Sequence, residues 1–209
     1  MRKKLITTVI ASFLMFSVAS PISVQAAGKT HTVVSGDTMW KIAVRYEVGV
    51  SELINANPQL KNPDLIYPGM SINIPDQPVG RQYELEVVRL VNVERSKVGL
   101  KPLKENWELS RVARYKSMDM RDKGYFSHTS PTYGSPFDMM KSFGLQYSYA
   151  GENIAMGQKT PAEVVKGWMN SSGHRQNILS ENYTEIGVGY AVNSKGTAYW
   201  TQMFMKPKY

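Results

Sequence analysis

The hexapeptide Pro75-Asp76-Gln77-Pro78-Val79-Gly80 constrains this chain most, because it suits neither a helix interior nor a central strand. Two prolines and a glycine within so short a stretch read as a linker. It divides the 209 residues into a first region of about fifty and a second of about 130. Each region must therefore build its own core. The chain has no cysteine, which removes disulfides, thiolate metal sites and thiol nucleophiles. Apolar burial alone must stabilise both regions, and 42% hydrophobic with 20% charged residues is ordinary for folded domains.

The amino-terminus has the layout of a secretory signal. Arg2, Lys3 and Lys4 precede an uncharged apolar run from Leu5 to Ala19; Pro21 follows, and Val24-Gln25-Ala26 has a small-x-small cleavage pattern. Residues 1–26 are expected to be removed. The run is shorter than the about 20 residues needed to span a bilayer, so no transmembrane segment is expected after cleavage. Losing three basic residues lowers the formal net charge from +8 to +5. A modestly basic exported protein suits an anionic wall or membrane surface. Lys and Arg are scattered, so nucleic acid is not an expected partner. Export without cysteine leans toward a bacterial source.

In the first region, His31-Thr32-Val33-Val34 suits a strand. Ser35-Gly36-Asp37-Thr38 reads as a turn that also caps a helix, whose apolar face is Met39, Ile42, Ala43 and Tyr46. Gly49 is expected to end it. Ser51 is expected to cap a second helix, with Val50, Leu53 and Ile54 inward and Pro58 as its stop. Ser71-Ile72-Asn73-Ile74 alternates like a returning strand. His31 is expected to be a half-exposed strand residue with no site nearby.

Residues 30–75 resemble a LysM domain, through Val34-x-Gly36-Asp37-Thr38-x-Trp40-x-Ile42-Ala43 and Asn62-Pro63-Asp64-Leu65-Ile66-x-Pro68-Gly69. The resemblance implies a βααβ fold that binds N-acetylglucosamine polymers such as peptidoglycan or chitin. The expected glycan-binding residues are Gly36, Asp37, Thr38 and Met39 in one loop and Asn62, Pro63, Asp64, Leu65 and Ile66 in the other. Gly36 lets backbone approach a ligand closely. Exposed amides can bond the acetamido group, with Leu65 and Ile66 against its methyl. The plainer reading of Gly36-Asp37-Thr38 is a turn and cap, and the two roles are compatible.

After the linker, 76–81, the pattern predicts a helix over 83–98 with Leu85, Val88 and Val91 inward and Glu84 outward. Further helices are expected over 107–123, ended by Gly124, and over 136–143, and another opens at the capping box Thr160-Pro161-Ala162-Glu163. Strands at 185–192 and 198–205 flank a turn at Asn193-Ser194-Lys195-Gly196. Helices followed by paired strands suggest an antiparallel sheet covered by helices, an α+β chain.

Histidine occurs at 31, 128 and 174. His128 lies in a loop after a helix, and His174 in a turn leading to a short helix. Between them stands Glu152, flanked by small and apolar residues, where an acid often has a shifted pKa or a fixed partner. Phe126-Ser127-His128, Gly151-Glu152-Asn153-Ile154, Trp168-Met169-Asn170-Ser171 and Gly173-His174-Arg175 resemble the CAP superfamily of cysteine-rich secretory, antigen-like and pathogenesis-related proteins. The resemblance covers residues 82–209 and implies an α-β-α sandwich whose groove is faced by two histidines and two acids. His128, Glu152 and His174 match three of these positions; the fourth falls near Ser171, where no acid stands.

Several chemistries stay open on these residues. His128 and His174, with Glu152 as a third ligand, would suit zinc with one open position. Without metal, Glu152 can orient a histidine for general base work. Ser127, Ser171 and Ser172 are nearby hydroxyls with no nucleophile-elbow pattern around them. The plainest reading has Glu152 tethering loops through buried N–H groups. The function expected is therefore a secreted wall-bound protein that presents a ligand or metal groove in the envelope or a spore coat. The alternative is a hydrolase acting there on wall peptide, lipid or protein.

Overall fold

The computed structural model describes residues 28–208, so the expected signal segment lies outside the described residues. In the first domain, strand β1 (Thr30–Thr32) pairs antiparallel with β2 (Ser71–Asn73), His31 opposite Ile72. Helices α1 (Met39–Tyr46) and α2 (Val50–Asn55) pack on this ladder. Met39, Ile42, Ala43, Leu53, Val33, Ile72 and Ile74 form the core, as the periodicity requires. Thr38 caps α1 by accepting from the Lys41 amide at 3.1 Å.

Two expectations fail at the helix junction. Helix α1 stops at Glu47, which takes a left-handed conformation (φ 54°) and returns its N–H to the Ala43 and Val44 carbonyls. Gly49 instead precedes α2 as its N-cap without a side-chain bond, and the Ser51 hydroxyl donates to Glu52 Oε2 at 2.7 Å rather than capping.

The second domain contains α3 (Arg81–Lys97), β3 (Lys104–Glu105), α4 (Trp107–Lys123), α5 (Pro136–Ser142) and β4 (Tyr147–Met156). Then come α6 (Pro161–Asn170), α7 (Ser172–Ile178), β5 (Glu185–Val192) and β6 (Ala198–Pro207). The sheet order is β3-β5-β6-β4, antiparallel except for the β3–β5 pair. One face packs Val87, Val91, Val164 and Trp168 of α3 and α6 against Ile186, Val188, Trp200 and Phe204. The other packs Leu109, Val112, Ala113, Met139 and Met140 of α4 and α5 against Met203 and Met205. The chain is thus α+β, a small βααβ unit followed by a three-layer sandwich.

Helix α4 lies directly on β5. A Cβ at Gly187 would stand 2.3 Å from Leu109 backbone, and one at Gly189 would stand 2.1 Å from Ala113 backbone, so neither position admits a side chain. On α3 the inner stripe is Glu84, Val87, Val88, Val91 and Arg95, which keeps the expected Val88 and Val91 but has Glu84 inward in place of Leu85. Leu85 is exposed, and Glu84 is fully buried because Arg114 grips both its oxygens at 2.8 and 2.6 Å. The sequence pattern also missed β4. Glu152 and Asn153 interrupt its apolar alternation, although both are buried.

Candidate functional site

The fold brings His128, Glu152 and His174 together. Glu152 projects from β4, opposite Met203 of β6, with its side chain 1% exposed. The loop after α4 carries His128, whose Nδ1 donates to Glu152 Oε1 at 2.7 Å while the imidazole stays 54% exposed. The remaining carboxylate oxygen, Oε2, is buried without a hydrogen-bond partner. His174 sits on α7, and its carbonyl accepts from Asn153 Nδ2 at 3.1 Å. Burial, and then repulsion from His128, lower the His174 pKa.

A residue outside the expected set completes this centre. Lys116 of α4 is fully buried; its Nζ donates to the His128 carbonyl at 2.6 Å, and its charge faces Glu152. Burial pushes the lysine pKa down and the Glu152 pKa up, because each ion loses water. Each opposes the other's shift by Coulomb attraction, and the His128 bond also holds Glu152 down. Asp119, one helical turn on, accepts from Tyr125 at 2.6 Å, Ser130 at 2.7 Å and the Thr132 hydroxyl. The His128 loop is therefore pinned by Lys116 at its centre and by Asp119 on both sides. A signal for Lys116 was present: it continues the inner stripe Leu109, Val112, Ala113, Met120 at a core position.

Strand β4 is the outer strand of the sheet, yet side chains occupy three of its outward carbonyls. Tyr183 donates to Ala150 at 3.3 Å, Asn177 to Glu152 at 3.3 Å and Trp168 to Ile154 at 3.2 Å. This blunts an edge that would otherwise invite another strand. Beside His174 opens a cavity of about 310 Å³, lined by Phe126, Met156, Trp168, Ser171 and His174. Ser127 has a structural task, accepting from the Thr129 amide at 3.2 Å, and Ser171 stands at the junction of α6 and α7 without a side-chain cap bond.

In the first domain, the β1–β2 ladder is extended by Val33 N–H to Met70 (2.9 Å) and Gly69 N–H to Val33 (2.9 Å). The loops 36–39 and 62–66 therefore emerge from the same end of the ladder. Asp37 is spent inside its loop, accepting from the Val34 amide at 3.0 Å and pairing with His31 Nε2 at 2.8 Å. The Val34 bond first, then His31, lower its pKa. His31 is thus buried and part of this brace, contrary to the half-exposed position expected; Tyr46 holds its other ring nitrogen at 3.1 Å. Asn62 closes the second loop by accepting from the Asp64 amide at 3.0 Å. Met39 is core. Gly36, Thr38, Asp64 and Leu65 are exposed, and Pro63 and Ile66 are half-buried.

Residues 88–204 match the cysteine-rich secretory protein family, CAP. The chain belongs to the CAP family. Residues 31–75 match the LysM domain, so a LysM domain precedes the CAP domain. An uncharacterized protein of Bacillus subtilis, YkwD, is 64% identical over 123 residues, 59% of this chain and 47% of that protein. The crystal structure of an extracellular SCP-domain protein from Bacillus anthracis aligns with TM-score 0.56 and 33% identity, over 66% of this chain and 47% of that one. These matches span about half the length of both CAP relatives. The spore coat assembly protein ExsA of Bacillus cereus is 53% identical over 51 residues, 24% of this chain and 8% of that protein.

This CAP domain does not offer the three-ligand zinc set of His128, His174 and Glu152. Glu152 stands behind His128, its Oε1 taken by Nδ1, in the position of a carboxylate that orients a ring. Among the described residues no group of three His, Asp or Glu side chains is spaced to hold a metal ion. The groove has one carboxylate, two imidazoles and a buried lysine. It can orient His128 with Nε2 outward, accept or donate a proton there, and receive a ligand in the cavity beside His174.

Proposed function

We propose that this protein is exported and held on the cell wall through its LysM domain, on N-acetylglucosamine-containing glycan such as peptidoglycan. There it presents the His128–Glu152–His174 groove of its CAP domain to a ligand in the envelope. The observation that carries the reading is the LysM domain with its two loops at one end of a shared ladder. Asp37 and Asn62 brace those loops, which leaves backbone amides and Leu65 at the surface for an acetamido group. The resemblance to a spore coat assembly protein favours a spore coat among envelope locations. In the groove, Glu152 fixes His128 and the adjoining cavity receives the ligand.

Co-sedimentation with purified sacculi tests the tether. The wild type is expected to pellet with the wall. Leu65→Asp, at an exposed position that leaves the core alone, is expected to stay largely in the supernatant. Equal pelleting of both would remove Leu65 and its loop from the binding surface.

A second reading, hydrolysis at the groove, is favoured by one observation, the buried carboxylate bonded to an exposed imidazole. Turnover of wall fragments by wild type and not by His128→Ala would support it; equal product from both would exclude it.

A further inference from the structure

We infer that the glycan path continues past the LysM loops into an aromatic cleft that the CAP domain closes, so that the two domains together form one extended sugar site. The inference rests on the glycan reading of the loops.

The domains are clasped together. Arg111 of α4 donates to both oxygens of Glu52 on α2, at 2.6 and 2.8 Å, and Tyr115 donates to Glu52 at 2.8 Å. Gly49 permits this approach, since a Cβ there would lie 2.3 Å from Arg111 Nε. Beside the clasp is a cleft of about 230 Å³. Trp40, Val44 and Ser51 line its LysM wall, and Trp107, Glu108 and Phe143 its CAP wall. Trp40 directly follows the loop residue Met39 and is 61% exposed. Trp40 thus links the cleft along the chain to the first glycan loop.

Its chemistry fits a pyranose ring. Sugar rings have apolar C–H faces and a polar rim. Indole and phenyl faces match the former, and the exposed Glu108 carboxylate matches the latter. The space suits one ring, which makes the occupant the next sugar of the same strand. The indole on the LysM wall, Trp40, is exposed, and the one on the CAP wall, Trp107, is half-buried.

Calorimetry of the mature full chain with N-acetylglucosamine oligomers of increasing length tests the inference. Affinity is expected to keep rising with length beyond the shortest oligomer that binds. Trp107→Ala is expected to lose that gain, about tenfold on the longest oligomer, while its binding of the shortest oligomer is unchanged. Trp107→Phe is expected to retain most of it. Trp40→Ala, at an exposed position, is expected to lose the same gain and serves where Trp107→Ala does not fold. Long-oligomer binding unaltered in folded Trp107→Ala and Trp40→Ala, but lost in Leu65→Asp, would overturn the cleft and leave the loops standing. Absence of oligomer binding by the wild type would overturn both.

Discussion

His128 donates from Nδ1 to Glu152 Oε1 across 2.7 Å, with the imidazole 54% exposed and the carboxyl 1% exposed. The bond fixes which nitrogen faces the groove. Nitrogen-resolved NMR of the neutral ring is expected to show the Nδ1–H tautomer. Glu152→Ala should shift the ring toward the Nε2–H form. The same variant takes from the buried Lys116 the stronger of its two facing carboxylates, leaving only Asp119, so a loss of about 3 kcal/mol in denaturant unfolding is expected.

Lys116→Met should also destabilise, by about 2 kcal/mol, since it deletes a charged hydrogen bond to the His128 carbonyl. It should also drive the Glu152 pKa further up, because the lysine now opposes the effect of burial. A carboxyl with a raised pKa binds its proton more tightly in the folded chain than in the unfolded one. Stability then falls as pH rises from the ordinary value of 4.5 through the raised one. The deficit of the variant should therefore be largest at neutral pH and shrink toward pH 4.5, as unfolding curves across pH would show.

The clasp between domains has the opposite sign. Burial favours a higher Glu52 pKa, but hydrogen bonds from Arg111, Ser51 and Tyr115 outweigh it and lower the pKa from 4.5 to about 2. Its contribution is fully present above pH 4.5 and is lost as pH falls toward 2. Small-angle scattering should show the two domains separating over that window. Arg111→Ala should show the same separation already at neutral pH.

Asn177→Ala removes the donor to the Glu152 carbonyl and to Asn153 Oδ1 on the outer strand. A loss of about 1–3 kcal/mol is expected from the polar groups left without partners. Faster amide exchange in β4 and in α7, where His174 sits, should accompany it. Unchanged exchange would mean that Asn177 does not hold this edge.

The amphipathic helices α1 and α4, the strands β5 and β6, and the segments around His128, Glu152 and His174 were legible because their patterns are local. The missed features share one cause. Glu84 and Lys116 are charged residues at core positions, where hydrophobic pattern argues for the surface. Their partners are distant in sequence: Arg114 reaches back thirty positions to Glu84, and Arg111 fifty-nine to Glu52. Strand β4 was hidden for the same reason, since Glu152 and Asn153 break its alternation. His31 was misjudged because its partners, Asp37 and Tyr46, come together only when the turn and α1 fold back on β1.

Backbone amide NMR of the full chain during titration with an N-acetylglucosamine oligomer tests the tether most directly. The largest shifts are expected at residues 35–40 and 62–67, with the amides around Glu152 and His174 unmoved. Shifts centred on the CAP groove, with both LysM loops silent, would contradict the assignment of glycan binding to the first domain.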